Sequence, residues 1–296
     1  MTRPAREHTC ERSGFRLVHA HPDTAFRVGQ KQYGADGARD RDFAETSSSQ
    51  KAWSRWDRTG RTLYFERRPQ GAYAEVLASF RHRRMFWLDD PNDPLVRTAE
   101  RLEIAVQDLW DILVRERATL GIGINDLPAP WRHARRVYEY VLPAQGWWVD
   151  IAHPDTLAAL DRHITDGGRA LSDTSPLVAL GEDALQARLA ALPERYRRGL
   201  TLGDVMGDDR ILTTTLAELI ASSRLDDDSV PLGLRYDSKW GAGECWAAWG
   251  PDVYDRLPDT SRDVHVFRVV DEHTIEAGSS ALAEVTARWG LTIEPD

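Results

Sequence analysis

Cysteine is scarce in this chain of 296 residues: only Cys10 and Cys245 occur. That excludes a disulfide scaffold and makes a reducing cytoplasm the expected compartment. Long apolar runs are missing as well. No stretch reaches the roughly eighteen residues that a membrane span needs, so none is expected. The first residues, MTRPAREHTCERSG, are polar and lack the apolar centre of a secretory signal. Positive charge is in deficit, with 38 Lys and Arg against 47 Asp and Glu and a formal net charge of −9. General nucleic-acid binding depends on neutralising phosphates, and this balance argues against it.

What remains is a composition with 42% hydrophobic and 29% charged residues, which fits a globular protein with a sizeable core. The length allows one large domain or two small ones. Eleven tryptophans are many for this length. Most are expected in the core and at subdomain contacts; Trp56, beside Arg55, is the candidate for stacking on a ligand ring. Local basic clusters occur at Arg81-His82-Arg83-Arg84 and at Arg195 with Arg197-Arg198. Either could hold a phosphate, but solvated faces or helix ends are the expectation.

Residues 55–75 read RWDRTGRTLYFERRPQGAYAE and carry the most information. Tyr64 follows Arg55 by nine residues, and Glu75 follows Tyr64 by eleven. Gly60 marks a turn, Thr62-Leu63-Tyr64-Phe65 is a β-prone run, and Pro69 opens a helical stretch containing Ala72, Ala74, Val76 and Leu77. Turn, strand and helix would bring a cation, an aromatic ring and a carboxylate to one end of a small unit.

Along the rest of the chain, residues 1–14 read as a loose tail and 15–19 as a strand. Residues 29–52 read as a long loop, a place for a lid. Leu102, Val106, Leu109 and Leu113 recur at helical spacing over 98–118, with Thr98 as the expected N-cap. GIGIN at 121–125 lacks the third glycine and preceding strand of a nucleotide loop and reads as a helix end and turn. Residues 147–151 form a short apolar run, a strand or docking edge. His-Pro-Asp-Thr occurs at 21–24 and again at 153–156, and both copies read as helix starts. Helices are expected at 155–165, 181–192 and 212–223, and strands at 232–236, 245–249 and 265–270. Asp226-Asp227-Asp228 reads as a surface loop, since adjacent carboxylates rarely converge on one ion. His19-Ala20-His21 has strand spacing that could place two rings beside a metal, but no HExxH pattern accompanies it, so no metal site is assigned.

Five pieces, taken in order, resemble the RES domain family, the toxin halves of a class of bacterial toxin–antitoxin systems. They are Phe15-Arg16, Arg55-Trp56-Asp57, Leu63-Tyr64-Phe65, Glu75-Val76-Leu77 and Leu234-Arg235-Tyr236-Asp237-Ser238. The matching pieces cover roughly the first hundred residues and the last seventy. The chain departs from the family at Asp57, where an asparagine is usual, and at Lys239, where an arginine is common. The separation of 163 positions from Glu75 to Ser238 also exceeds the usual spacing.

The resemblance implies an α+β fold like that of ADP-ribosyltransferases, with a split mixed β-sheet core and a large, mostly helical insertion. The core would use residues 1–84 and 206–296, and the insertion 85–205. It implies an enzyme that consumes NAD by splitting the nicotinamide–ribose bond, with Glu75, Arg55 and Tyr64 catalytic and Arg16, Arg55, Trp56, Tyr64 and Ser238 holding NAD. It also implies an antitoxin partner.

The chemistry fits those residue types. Nicotinamide leaves as a neutral base and needs no general acid, while the ribose carbon becomes cationic. Glu75 would stabilise that charge, bind a ribose hydroxyl or orient the nucleophile. Arg55 suits a diphosphate. Tyr64 would stack on the nicotinamide or donate its hydroxyl. Ser238 does not read as a nucleophile, because no His and Asp partners occur in a recognisable order. Water, phosphate, a protein or a small molecule remains open as acceptor. Two other functions stand beside this one: a non-catalytic nucleotide-binding or interaction module, and a metal hydrolase using the histidines and aspartates.

Overall fold

The computed structural model describes residues 7–42, 50–81, 94–119, 126–165, 178–240, 243–249 and 267–295. The fold is mixed α and β. Its strands are β1 Glu7–Thr9, β2 Arg16–His19, β3 Thr24–Gln30, β4 Thr62–Glu66, β5 Asp126–Leu127, β6 Arg135–Val141, β7 Trp147–Asp150, β8 Gly233–Asp237, β9 Glu244–Trp249, β10 Arg268–Thr274 and β11 Thr292–Ile293. Nine of them form one sheet in the order β1-β2-β7-β8-β9-β4-β3-β6-β10. Within it only β7 and β8 run parallel. β5 and β11 make a separate parallel pair.

The helices are α1 Pro69–Arg81, α2 Pro94–Arg101, α3 Val106–Thr119, α4 Ala129–His133, α5 Pro154–Thr165, α6 Val178–Ala191, α7 Glu194–Arg197, α8 Leu202–Met206, α9 Arg210–Ala221 and α10 Ser280–Trp289. Helices other than α2 and α3 pack on one face of the sheet in two groups. Under the first, Leu17, Val149, Leu234 and Ala247 from the strands meet Leu160 of α5, Leu189 of α6 and Leu216 and Ile220 of α9. Under the second, Val28 and Val137 meet Leu77 of α1 and Leu282 and Val285 of α10. The alternate side chains of the same strands, including Phe65, Tyr138, Tyr140, Trp148 and Trp246, form a third cluster on the opposite face. This is the two-residue period of a strand buried on both faces.

α9 is the most enclosed helix, with every residue from 212 to 220 buried. Asp209 caps it by accepting from the N–H groups of Ile211 and Leu212. Its three buried threonines return their hydroxyls to the carbonyls of Asp209, Arg210 and Ile211 at 3.0, 2.6 and 2.7 Å, so each is satisfied without an external partner. Gly233 begins β8 at φ +152°, where an added Cβ would lie 2.0 Å from the Ala247 carbonyl oxygen. Only glycine allows β8 and β9 to approach there.

The helices expected near 155–165, 181–192 and 212–223 and the strands near 15–19, 232–236 and 245–249 are present. Other expectations are corrected. Residues 85–205 are not simply a helical insertion: β6 pairs with β3 and β10, and β7 lies between β2 and β8. The run RRVYEYV is rich in valine and tyrosine, residues that favour strands, and belongs to the sheet. The expected tail is tied down from Glu7 by pairing of β1 with β2. The single helix over 98–118 is two, broken at Glu103 with φ +55°, and Leu102 in the break is 53% exposed. Thr98 lies inside α2 rather than capping it. The second His-Pro-Asp-Thr opens α5, whereas Thr24 of the first begins a strand. GIGIN, His82 to Arg84 of the basic cluster and residues 265–266 of the last expected strand lie outside the described residues.

Candidate active site

A cleft of about 640 Å³ opens on the helix-bearing face of the sheet, between the two helical groups. Strand parity builds its floor. Tyr64 and Glu66 are two residues apart on β4 and share a face. Glu66 lies opposite Cys245, and Cys245 lies opposite Tyr236. Phe26 of β3 also pairs with Glu66. α1 crosses above this floor and presents Ala72, Glu75 and Val76 to the cleft, three residues that helical spacing places together. Gly71 permits the close crossing: a Cβ there would stand 2.7 Å from Glu66 Oε2. Trp53, Arg55, Asp208, Arg210, Lys239 and Trp240 complete the walls and mouth.

Glu75 sits half-buried in the wall. The Ser238 hydroxyl donates to its Oε1 at 3.0 Å and itself accepts from the Trp240 N–H at 3.1 Å. Burial pushes the Glu75 carboxyl above the usual range, and Ser238, Arg55, Lys239 and Trp240 oppose that shift. Glu66 is 3% exposed, and the thiol of Cys245 donates to its Oε2 at 2.8 Å. Burial raises its pKa to about 9, with the Cys245 hydrogen bond opposing and the Glu75 charge adding. Burial pushes the Cys245 thiol up as well, helped by Glu66. At neutral pH the floor therefore holds a protonated carboxyl and a protonated thiol.

Tyr64 reaches the cleft with its ring, but its hydroxyl is occupied. It donates to Asp57 Oδ1 and accepts from the Trp56 N–H, each at 2.9 Å. Burial and the Asp57 charge push the phenol well above its ordinary pKa. Asp57 is a hub: its Oδ2 accepts from Arg41 Nε at 3.0 Å, Arg41 Nη2 at 2.8 Å and the Ser54 N–H at 2.9 Å. The aspartate that replaces the asparagine of the resembled pattern thus neutralises buried Arg41. It also fixes both Tyr64 and the turn that carries Arg55. The Arg55 side chain is 9% exposed and faces Asp208 at 3.8 Å.

Of the residues expected at the site, Arg55, Tyr64 and Glu75 line one cleft. Ser238 stands behind Glu75 and positions it. Trp56 is fully buried, with its ring 6.2 Å from that of Tyr236, so it is a core residue and not a stacking platform. Arg16 does not reach the cleft. β2 lies four strand spacings from β4, about 19 Å, and Arg16 alternates with Leu17, which points into the helix-side core. Its guanidinium bonds Glu7 at 3.1 Å. A second Phe-Arg pair, Phe26-Arg27, borders the cleft instead. The Arg27 guanidinium is committed to the carbonyls of Ala35 and Gly37. In the loop expected as a lid, Ala35 and Ala38 pack on the opposite face of the sheet, and 43–49 lie outside the described residues.

The residues missed from the sequence include Glu66, Cys245, Trp53, Tyr236, Asp208, Arg210 and Trp240. Glu66 had a signal, since it lies two residues from Tyr64 on the same strand. Trp240 comes two residues after Ser238, and a tryptophan there was readable as a cleft ring. Asp208 and Arg210 had no local signal. Among the described residues, Glu66, Glu75 and Cys245 bring three potential metal-ligand atoms within 4.8 Å of one another. Holding an ion there would require the thiolate and carboxylates to ionise against their burial. His19 and His21 belong to no such group of described residues, and His19 Nδ1 faces the Ala20 carbonyl at 2.7 Å. Asp226, Asp227 and Asp228 each serve a different partner: the Arg12 N–H, the Trp147 indole and the Arg12 guanidinium. No protein-family model matches the chain, and neither a curated protein nor a solved structure matches it.

Proposed function

We propose that the cleft binds NAD and cleaves its nicotinamide–ribose bond, on an α+β frame of the ADP-ribosyltransferase-like kind. The observation that carries this reading is Glu75: a half-buried carboxylate held by Ser238, facing a cleft of ligand size with Arg55 on the same wall. As the bond to nicotinamide breaks, the ribose carbon gains positive charge. A preorganised carboxylate in a sparsely hydrated wall stabilises that charge far more than one in water. The committed hydroxyl of Tyr64 leaves its ring, not its O–H, to meet the nicotinamide. Trp240 supplies a second ring at the cleft. Arg55 faces the diphosphate, and the acceptor is water, phosphate or another nucleophile.

The resemblance extends the proposal to a partner protein that covers the cleft and to a cytoplasmic site of action. No helix among the described residues is long and apolar enough to cross a membrane. The test is nicotinamide release from NAD, with and without phosphate and with and without a chelator, by the intact protein and by Glu75→Gln. The expected outcome is release that survives chelation and falls about 100-fold or more in the variant. No release by the intact protein under any condition, or equal release by the variant, overturns the reading. Loss on chelation would move the function to the Glu66, Glu75 and Cys245 cluster as a metal site.

A further inference from the structure

Three cations at the mouth of the cleft share one oxygen. Asp208 lies in the link between α8 and α9. Its Oδ1 is 2.7 Å from Lys239 Nζ, 3.5 Å from Arg210 Nη2 and 3.8 Å from Arg55 Nη2. The cations are covered, with side chains 28%, 26% and 9% exposed, while the Asp208 side chain is 73% exposed. Their hydrogen-bonding capacity is not used up. Arg55 Nε and Arg210 Nη1 are buried with no hydrogen-bond partner. An unpartnered guanidinium N–H away from water is costly, and a carboxylate offering a single oxygen at 3.5 and 3.8 Å does not satisfy two of them.

We propose that Asp208 is an internal stand-in for phosphate: it occupies an anion seat made by Arg55, Arg210 and Lys239 and leaves that seat when a diphosphate-bearing ligand binds. A diphosphate brings several oxygens and more than one negative charge, so each cation gains its own acceptor. Asp208 is the exchangeable member because it is by far the most exposed of the four, on a short link between helices. Although burial acts to raise its pKa, Lys239, Arg210 and Arg55 hold the Asp208 carboxyl below the usual range, so it is charged and competes as an anion. The seat deepens the nucleotide reading of the cleft and rests on it only for the identity of the ligand.

Calorimetric titration of inorganic pyrophosphate into the intact protein tests this. Asp208→Asn, a change at an exposed side chain, is expected to bind about tenfold tighter than wild type. Lys239→Ala and Arg210→Ala are expected to bind at least tenfold weaker. Asp237→Asn removes the same charge from an exposed neighbouring position on β8 and is expected to stay within twofold of wild type. Equal tightening by Asp237→Asn, no tightening by Asp208→Asn, or no pyrophosphate binding by any of these proteins overturns the seat. The titration involves no NAD cleavage, so the two readings fail separately. The expected pattern without nicotinamide release keeps the seat and discards the NAD reading, and release without the pattern does the reverse.

Discussion

The floor and the mouth of the cleft hold carboxylates in opposite company. At the floor, Glu66 is buried against a thiol, with no cation among the groups that set its pKa, and keeps its proton. At the wall and mouth, Glu75 and Asp208 stand among Arg55, Arg210 and Lys239. Glu66 and Glu75 bring oxygens within 4.8 Å of each other, yet burial without a cation governs one while hydrogen bonds and cations moderate the other. The difference shows that residue type does not assign a role in such a site; the neighbours do. Strand alternation built the floor, and residues of three separate segments built the mouth: the turn before β4, the link into α9 and the residues after β8.

Asp57 joins the two regions, since it anchors Tyr64 below and the turn of Arg55 above. Asp57→Ala would cut that link and leave Arg41, 8% exposed, as a buried unpaired charge. A loss of about 3–5 kcal/mol is expected in chemical denaturation. Asp57→Ala combined with Arg41→Met should recover part of it, and a single variant as stable as wild type would dissolve the link.

Protonation of the floor has its own signature. The folded protein keeps the Glu66 proton up to about pH 9, while the unfolded chain loses it near 4.5. Between these values the folded state binds the extra proton, so this group's contribution to stability falls as pH rises. Glu66→Gln removes the titration. Its stability relative to wild type should grow between about pH 6 and pH 9 by an amount on the order of 2–4 kcal/mol. Parallel stability curves for the two proteins would mean that Glu66 is ionised and that floor and mouth are alike.

Arg16 gives the smallest expected effect. It lies off the cleft and pairs with partly exposed Glu7. Arg16→Ala should leave NAD cleavage and pyrophosphate affinity within twofold of wild type. A tenfold loss in either assay would place a further cation at the cleft and blur the contrast between its two regions.

Much of this architecture was readable residue by residue. The β-prone run Thr62-Leu63-Tyr64-Phe65 is a strand in the structure, and the helix expected over 212–223 is α9, although it is buried all round from 212 to 220 and not on one face alone. The two copies of His-Pro-Asp-Thr show where local reading fails. The downstream residues decide the fate of each copy. Leu157-Ala158-Ala159-Leu160 continues as a helix, while Ala25-Phe26-Arg27-Val28 alternates as a strand. Capping residues permit a helix start without requiring one. Arg16 and Trp56 were misplaced for a related reason: for Arg16, local sequence does not say how many strands intervene between its strand and the cleft, and for Trp56, in a turn beside Arg55, adjacency does not say that the neighbouring ring turns into the core.

The sequence by itself determined the local elements, because alternation, helical spacing and turn residues act within a few positions. It also placed Arg55, Tyr64 and Glu75 on one turn-strand-helix unit. Tertiary structure alone decided that β6 and β7 enter the sheet, that Cys245 meets Glu66 across 179 positions, and that Asp208 meets Lys239 across 31. Strand order and register are settled by pairing between distant segments. The charge a buried carboxyl carries is settled by the water and cations that the finished fold leaves beside it.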